Sequence, residues 1–190
     1  DPMMPILYRW RGHRLINVRI VPEGVADLAL SAQLEPSNWE TWYHLALGQY
    51  LLQNHDDAAN SYKNCFEHAP SVGDRVAVAD WSWRNYMRLG DKEKTNEVID
   101  FITEDMDYGE NYAYHRCLLM YKGFIDPEMV LDKENETDIN KVTIGYGLGN
   151  FYYVRGEHRK AVEIWKNVLD EPFWPAFGHI AAEFDVSNNL

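Results

Sequence analysis

"TWYHLALGQYLLQNHDDAANSYKNCFEHAP", residues 41–70, decides the fold. An aromatic stands at Trp42, small residues at Ala46 and Ala58, an aromatic at Tyr62 and a helix-stopping proline at Pro70. Shifting the stretch by 34 residues toward the N terminus lays Trp42 on Tyr8, Ala46 on Gly12, Ala58 on Gly24, Tyr62 on Leu28 and Pro70 on Pro36. Five positions that keep their character at one lag mark an internal repeat. The pattern describes a packed helix pair. Small residues at Ala46 and Ala58 let two helix backbones cross closely, as ridges-into-grooves packing requires. Trp42 and Leu45 fill the space beside that crossing, and Tyr62 and Cys65 line the inner face of the second helix. Pro70 ends the second helix, because its ring cannot follow a helical residue without strain.

The template continues along the chain. A third unit begins near "VAVADWSWRNYMRL", with Gly90 as its turn and Tyr86, Ile99 and Ile102 in core places. It is displaced by 37 residues rather than 34, and "SVGD" at 71–74 absorbs the excess. A fourth unit has a convincing first helix, a turn at Gly123 and a short second helix opened by Pro127; "DKENETD" at 132–138 reads as a charged loop. A fifth carries Leu148, Gly149, Tyr152, Gly156, Ala161 and Trp165 in register. The expected units are 5–37, 39–70, 75–106, 109–132 and 138–171, with a capping helix at 172–187 to cover the last apolar face.

These residues resemble the tetratricopeptide repeat family, whose pattern is W-x2-L-G-x2-Y, then A-x3-F, then P. Trp42, Leu45, Ala46, Ala58, Tyr62 and Pro70 meet it, and Leu148, Gly149, Tyr152, Ala161 and Trp165 meet it again. The fourth unit departs from it in its second helix. The resemblance implies an all-α, right-handed superhelical solenoid of antiparallel helix pairs, and a scaffold that binds protein partners. It is nearly silent on which partner.

In such an array the first helix of each pair lines a concave groove. Register places Arg9, His13, Tyr43, His44, Tyr50, Trp81, Arg84, Tyr146, Asn150 and Tyr153 on that wall. Aromatic and arginine side chains are the types that dominate binding energy at interfaces. The expected ligand is therefore an extended peptide or a helix. Some members of the family grip a C-terminal carboxylate with five basic and amide positions. Here Arg9, His13, His44, Ala77 and Trp81 stand at those places, one charge match in five, so that mode is not expected.

Composition narrows the partners. Eighteen Lys and Arg face 30 Asp and Glu, a net charge of −12. Neutralising nucleic-acid phosphates needs a basic stripe, and no run of five basic residues exists, so nucleic acid is not an expected partner. No apolar run approaches the roughly 20 residues that span a bilayer, so membrane insertion is not expected. With 46% hydrophobic residues the chain has enough apolar material for a core. Self-association through the terminal helices is a further possibility. A cytoplasmic location is favoured over a secreted or periplasmic one, which removal of an upstream signal would allow.

Chemistry is hard to find in the sequence. Cys65 and Cys117 read as small buried hydrophobes, since no CxxC occurs and two cysteines make no disulfide framework. Asn135-Glu136-Thr137 is a lone glycosylation sequon. His13, His44 and His115 fall on first helices but form no HxxxH or HExxH pair, and His115 and Cys117 point to different helix faces. "IGYGLGNF" at 144–151 lacks the spacing, lysine and preceding strand of a phosphate loop. Gly149 fits a helix crossing; Gly145 and Gly147 mark the close approach of either a neighbouring helix or a ligand. Asp56-Asp57 and Glu104, Asp105 and Asp107 read as solvated helix ends. No metal, cofactor or catalytic residue is expected. A second class stays open: a small-molecule or metal-binding module, or the non-catalytic part of a larger enzyme.

Overall fold

In a computed structural model the regular structure of the described residues, 3–131 and 136–188, is helical, with no strand among them. Most of the charged stretch 132–138, and Asn135 of the sequon, lie outside the described residues. The helices are α1 (Pro5–Asn17), α2 (Val21–Leu34), α3 (Trp39–Leu51), α4 (His55–His68), α5 (Val72–Leu89), α6 (Lys92–Glu97), α7 (Tyr112–Tyr121), α8 (Asp138–Tyr153), α9 (His158–Leu169) and α10 (Phe177–Asn188). Several starts have a local cause. Asn38 accepts a hydrogen bond from the Thr41 amide at 3.1 Å, and Ser71 accepts one from the Asp74 amide at 3.0 Å. These side chains satisfy amides that a helix start leaves without partners. The α5 end is set by Gly90, whose φ of +73° is open to glycine at no steric cost.

The helices pack as hairpins stacked side by side: α1 on α2, α3 on α4, α8 on α9, with α2 against α3 and α4 against α5. The result is an α-helical solenoid. The crossings fall where small residues stand. A Cβ on Gly12 would sit 2.8 Å from the Gly24 carbonyl oxygen, and a Cβ on Gly24 would sit 2.8 Å from that of Gly12. Ala46 and Ala58, at the same place one repeat on, are wholly buried, as is Ala161. A Cβ on Gly149 would overlap the Trp165 indole. Gly145 and Gly147 are explained by neighbouring helices. A Cβ on the first would meet Val168 at 2.7 Å, and one on the second would meet the Cys117 sulfur at 2.7 Å.

The third and fourth units are where the repeat weakens. The three extra residues join the helix itself, so α5 runs to 18 residues against 13 in α3. Its partner α6 has only six, followed by turns, although Ile99 and Ile102 still reach the core. Tyr86 is only half-buried. After α7 the chain makes a single 3-10 turn, Pro127–Met129, where a second helix was expected to be short.

Substituting Gly24 with Ala tests the crossing. Helix propensity alone favours alanine by about 1 kcal/mol. The backbone oxygen in the way cannot move without separating two helices, so overpacking of about 1–3 kcal/mol wins. Urea unfolding of Gly24→Ala should show a lower midpoint. The same change at Gly90 leaves no packing conflict, because nothing lies within 4 Å, and its cost is confined to the backbone.

Candidate functional site

Repeat geometry turns α3, α5 and α8 toward a common interior, and α10 packs into it against α8, α9 and α3. Tyr50, on α3, and Tyr146, on α8, meet hydroxyl to hydroxyl at 2.8 Å. The Tyr146 hydroxyl also donates to Asp185 of α10 at 2.9 Å. Arg88, one turn beyond Arg84 on α5, donates to both Asp185 carboxylate oxygens at 2.8 and 2.7 Å. It donates as well to the Asn150 side-chain oxygen, at 3.0 Å from Nε. The Trp81 ring stands edge-on to Tyr50 and stacks on Tyr146, each at 5.5 Å. Arg84 lies over both Trp81 and Tyr146 and pairs with Asp80 at 2.5 Å.

This network joins four helices, and it is almost dry. Trp81, Arg84, Tyr146 and Asn150 are 0–1% exposed, and Tyr50 is 3% exposed. An open aromatic groove was expected at these five residues; the chain closes over them instead. The reason is geometric. Their side chains meet one another across a narrow interior, and α10 occupies the remaining space. Arg9, His13, Tyr43, His44 and Tyr153 are half-buried and keep some contact with the surface. Arg9 pairs with Glu40. The Tyr43 hydroxyl donates to that of Tyr114 at 3.3 Å. His13 and His44 stack at 4.2 Å, and Phe177 of α10 lies 5.7 Å from each ring.

The residues that sequence reasoning missed are those reaching across the interior. Arg88 had a signal, its position four residues after Arg84 on the same stripe. Asp185 had none, since its partner lies 97 residues away. His55 is another: its ring nitrogen lies 2.8 Å from the Asn85 side-chain oxygen. Near the last turns of α3, α5, α8 and α10 these side chains leave a polar cavity of about 540 Å³, lined by Gln53, His55, Met87, Arg88, Tyr153, Val154, Asp185 and Asn188. This mouth is where the interior reaches solvent beside Tyr153.

Burial governs the chemistry of the enclosed groups. It pushes the Cys117 thiol up to about 12, which removes nucleophilic character at neutral pH, and raises Tyr50 to about 12. It lowers His44 to about 3, helped by the charges of His13 and Arg9, and lowers His13 in the same direction. Among the described residues no three His, Cys, Asp or Glu side chains converge as metal ligands.

An unfolded chain protonates His44 below its ordinary value of 6.5, while the folded chain keeps the ring neutral down to about 3. Stability therefore falls as pH drops through that window. Asp80, raised by burial to about 6, contributes in the opposite sense between 3.8 and 6, because the folded state then holds the extra proton. Thermal melts should show a falling Tm on acidification from pH 6.5, with a shallower slope in His44→Gln.

No family model matches the chain. It is 25% identical over 146 residues to the tetratricopeptide repeat-containing protein trd-1 of Caenorhabditis elegans, a match covering 65% of this chain and 18% of the relative. The chain thus spans less than a fifth of that protein's length. The crystal structure of YrrB, a TPR protein with an unusual peptide-binding site, is similar with a TM-score of 0.51 and 14% sequence identity. That match covers 90% of this chain and 88% of YrrB. In fold the chain is similar to a tetratricopeptide-repeat array, an α-helical solenoid with small residues of the resembling motif at its helix crossings.

Proposed function

We propose that the chain is a protein-interaction scaffold, and that a short basic peptide segment enters at the mouth beside Tyr153. The observation that carries this reading is the polar cavity of about 540 Å³ beside the buried Arg88–Asp185 network. It is large enough for a few side chains and too polar for an apolar anchor. Helices α3, α5, α8 and α10 end nearby, at Leu51, Leu89, Tyr153 and Asn188. The carboxyl end of a helix carries partial negative charge and favours cations. Arg88 does not cancel this field, because Asp185 neutralises it. The Tyr153 ring, 4.9 Å from the Arg88 guanidinium, supplies an aromatic wall on which a second cation can rest. The net charge of −12 steers basic segments toward the chain at low salt. The likeness to YrrB supports the fold that makes such a mouth possible, and the peptide reading is our own.

The test is a selection of short peptides on the purified chain, followed by titration. Lys- or Arg-containing peptides should outbind matched Glu peptides, and rising salt should weaken them. Tyr153→Ala should weaken binding by about tenfold, as loss of an aromatic contact does at an interface. Selected peptides that are acidic, or that bind Tyr153→Ala unchanged, would discard the reading.

A further inference from the structure

We propose that Gln53 selects what enters the mouth, and that the group it selects is the guanidinium of an arginine; this rests on the basic-segment reading of that site. Gln53 is an exception within the repeat. In the turn after each first helix one residue takes a positive φ: Arg19 at +67°, Gln53 at +61°, Gly90 at +73°, Gly123 at +82° and Gly156 at +85°. The turn is the same each time. The amide of that residue donates to a carbonyl three residues back, and the next amide donates to one five residues back. In the second unit these bonds run from Gln53 to Tyr50 and from Asn54 to Gln49, both at 2.9 Å. In the third they run from Gly90 to Met87 at 3.2 Å and from Asp91 to Tyr86 at 3.1 Å. Glycine closes this turn without strain, whereas a residue with a side chain is strained there.

Two units keep a side chain at this place, and for one of them the reason is visible. Arg19 reaches both carboxylate oxygens of Glu183 on α10, at 2.7 and 2.5 Å, and ties the first unit to the last. Gln53 does nothing comparable inside the chain. It is exposed, its side chain has no hydrogen bond among the described residues, and it stands on the wall of the 540 Å³ cavity. Strain that is kept without a contact inside the chain points to a contact outside it.

The chemistry around Gln53 states which group it meets. Asp185 is the carboxylate among the described residues of the wall, and Arg88 already holds both its oxygens, at 2.8 and 2.7 Å. The other acceptors are neutral. The Asn85 amide donates to the His55 carbonyl at 2.8 Å, which turns the Asn85 side-chain oxygen toward the His55 ring, 2.8 Å from Nδ1. Nδ1 therefore carries the proton, and Nε2 is left as an acceptor. Burial holds this ring below its ordinary value, so it is neutral at neutral pH. The carboxamides of Gln53 and Asn188 add two more acceptors to the wall. An ammonium is a compact point charge that a carboxylate serves best. A guanidinium is flat, rests on an aromatic face such as Tyr153, and spreads five N–H groups over several neutral acceptors. A wall of neutral acceptors, with its carboxylate already engaged, favours arginine over lysine.

The test titrates the purified chain, by fluorescence anisotropy at low salt, with a labelled Gly-Ser nonapeptide carrying arginine at its centre. Matched peptides carry lysine, symmetric dimethylarginine or glutamate there. Arginine should bind about tenfold tighter than lysine. Dimethylation keeps the charge and removes donors, and should weaken the arginine peptide by about the same factor. Gln53→Gly should bring arginine and lysine to within about twofold of each other. Its urea midpoint should stay at or above that of the wild-type chain, because glycine relieves the turn. Arginine and lysine bound alike, both above glutamate, would overturn the arginine assignment and leave the basic mouth standing. Glutamate bound as well as lysine would remove the mouth and the assignment with it, as would no binding of the arginine peptide up to millimolar concentration. The proposal is also overturned if Gln53→Gly keeps the preference for arginine, or if it unfolds at lower urea, since the side chain would then serve the fold.

Discussion

Where Gly12 and Gly24 cross, two helix backbones come so near that neither position has room for a methyl group. Everything else in the molecule depends on that closeness. A helix can bury only one stripe, so a pair must approach until side chains interlock, and dispersion contacts accumulate only at close range. Small residues at the crossing set the interhelical distance, and the distance sets the tilt that each pair passes to the next. The same constraint recurs with Ala46 and Ala58, and with Gly149 under the Trp165 indole. At Gly149 the small residue accommodates a large partner, and the indole nitrogen donates to the Tyr146 carbonyl at 3.3 Å.

Passing that tilt along the stack brings α10 into the interior, where it meets groups from much earlier in the chain. The contacts there are polar: Arg88 with Asp185 and Asn150, Tyr50 with Tyr146, and Arg19 with Glu183. Buried ion pairs add little net stability, because desolvation cancels most of their attraction, but breaking one is costly. Their effect is to demand one arrangement. Arg88 can satisfy its donors only if α5, α8 and α10 are all in place. The interior behaves as a lock between distant repeats rather than as an oily groove, and it reaches solvent at the mouth near Tyr153.

The charge distribution follows a division of labour. Arg9, Arg11 and Arg19 act as clamps between helices, while acidic residues concentrate around α6 and the turns that follow it. Shortening α6 and replacing a second helix by the 3-10 turn removes apolar cover in the middle of the array without breaking the stack, since Ile99, Ile102 and Val130 still reach the core. A scaffold tolerates such variation because each unit touches mainly its neighbours. Surfaces that bind partners can then change while the crossings stay fixed.

Helix pairs, their turns and their small-residue crossings were legible in the sequence, because these are short-range consequences of a 3.6-residue period and of where glycine and proline stand. The stripe facing inward could be read too, and Tyr50, Trp81, Arg84, Tyr146 and Asn150 do lie together. Whether that stripe was open or shut could not be read. That outcome depends on the accumulated rotation between repeats, and on a contact between Arg88 and Asp185 at a separation of 97 residues. Periodicity fixes which way a side chain points from its own helix. Only the tertiary structure decides what stands opposite, because angles between packed helices add up along the chain and no local pattern records their sum.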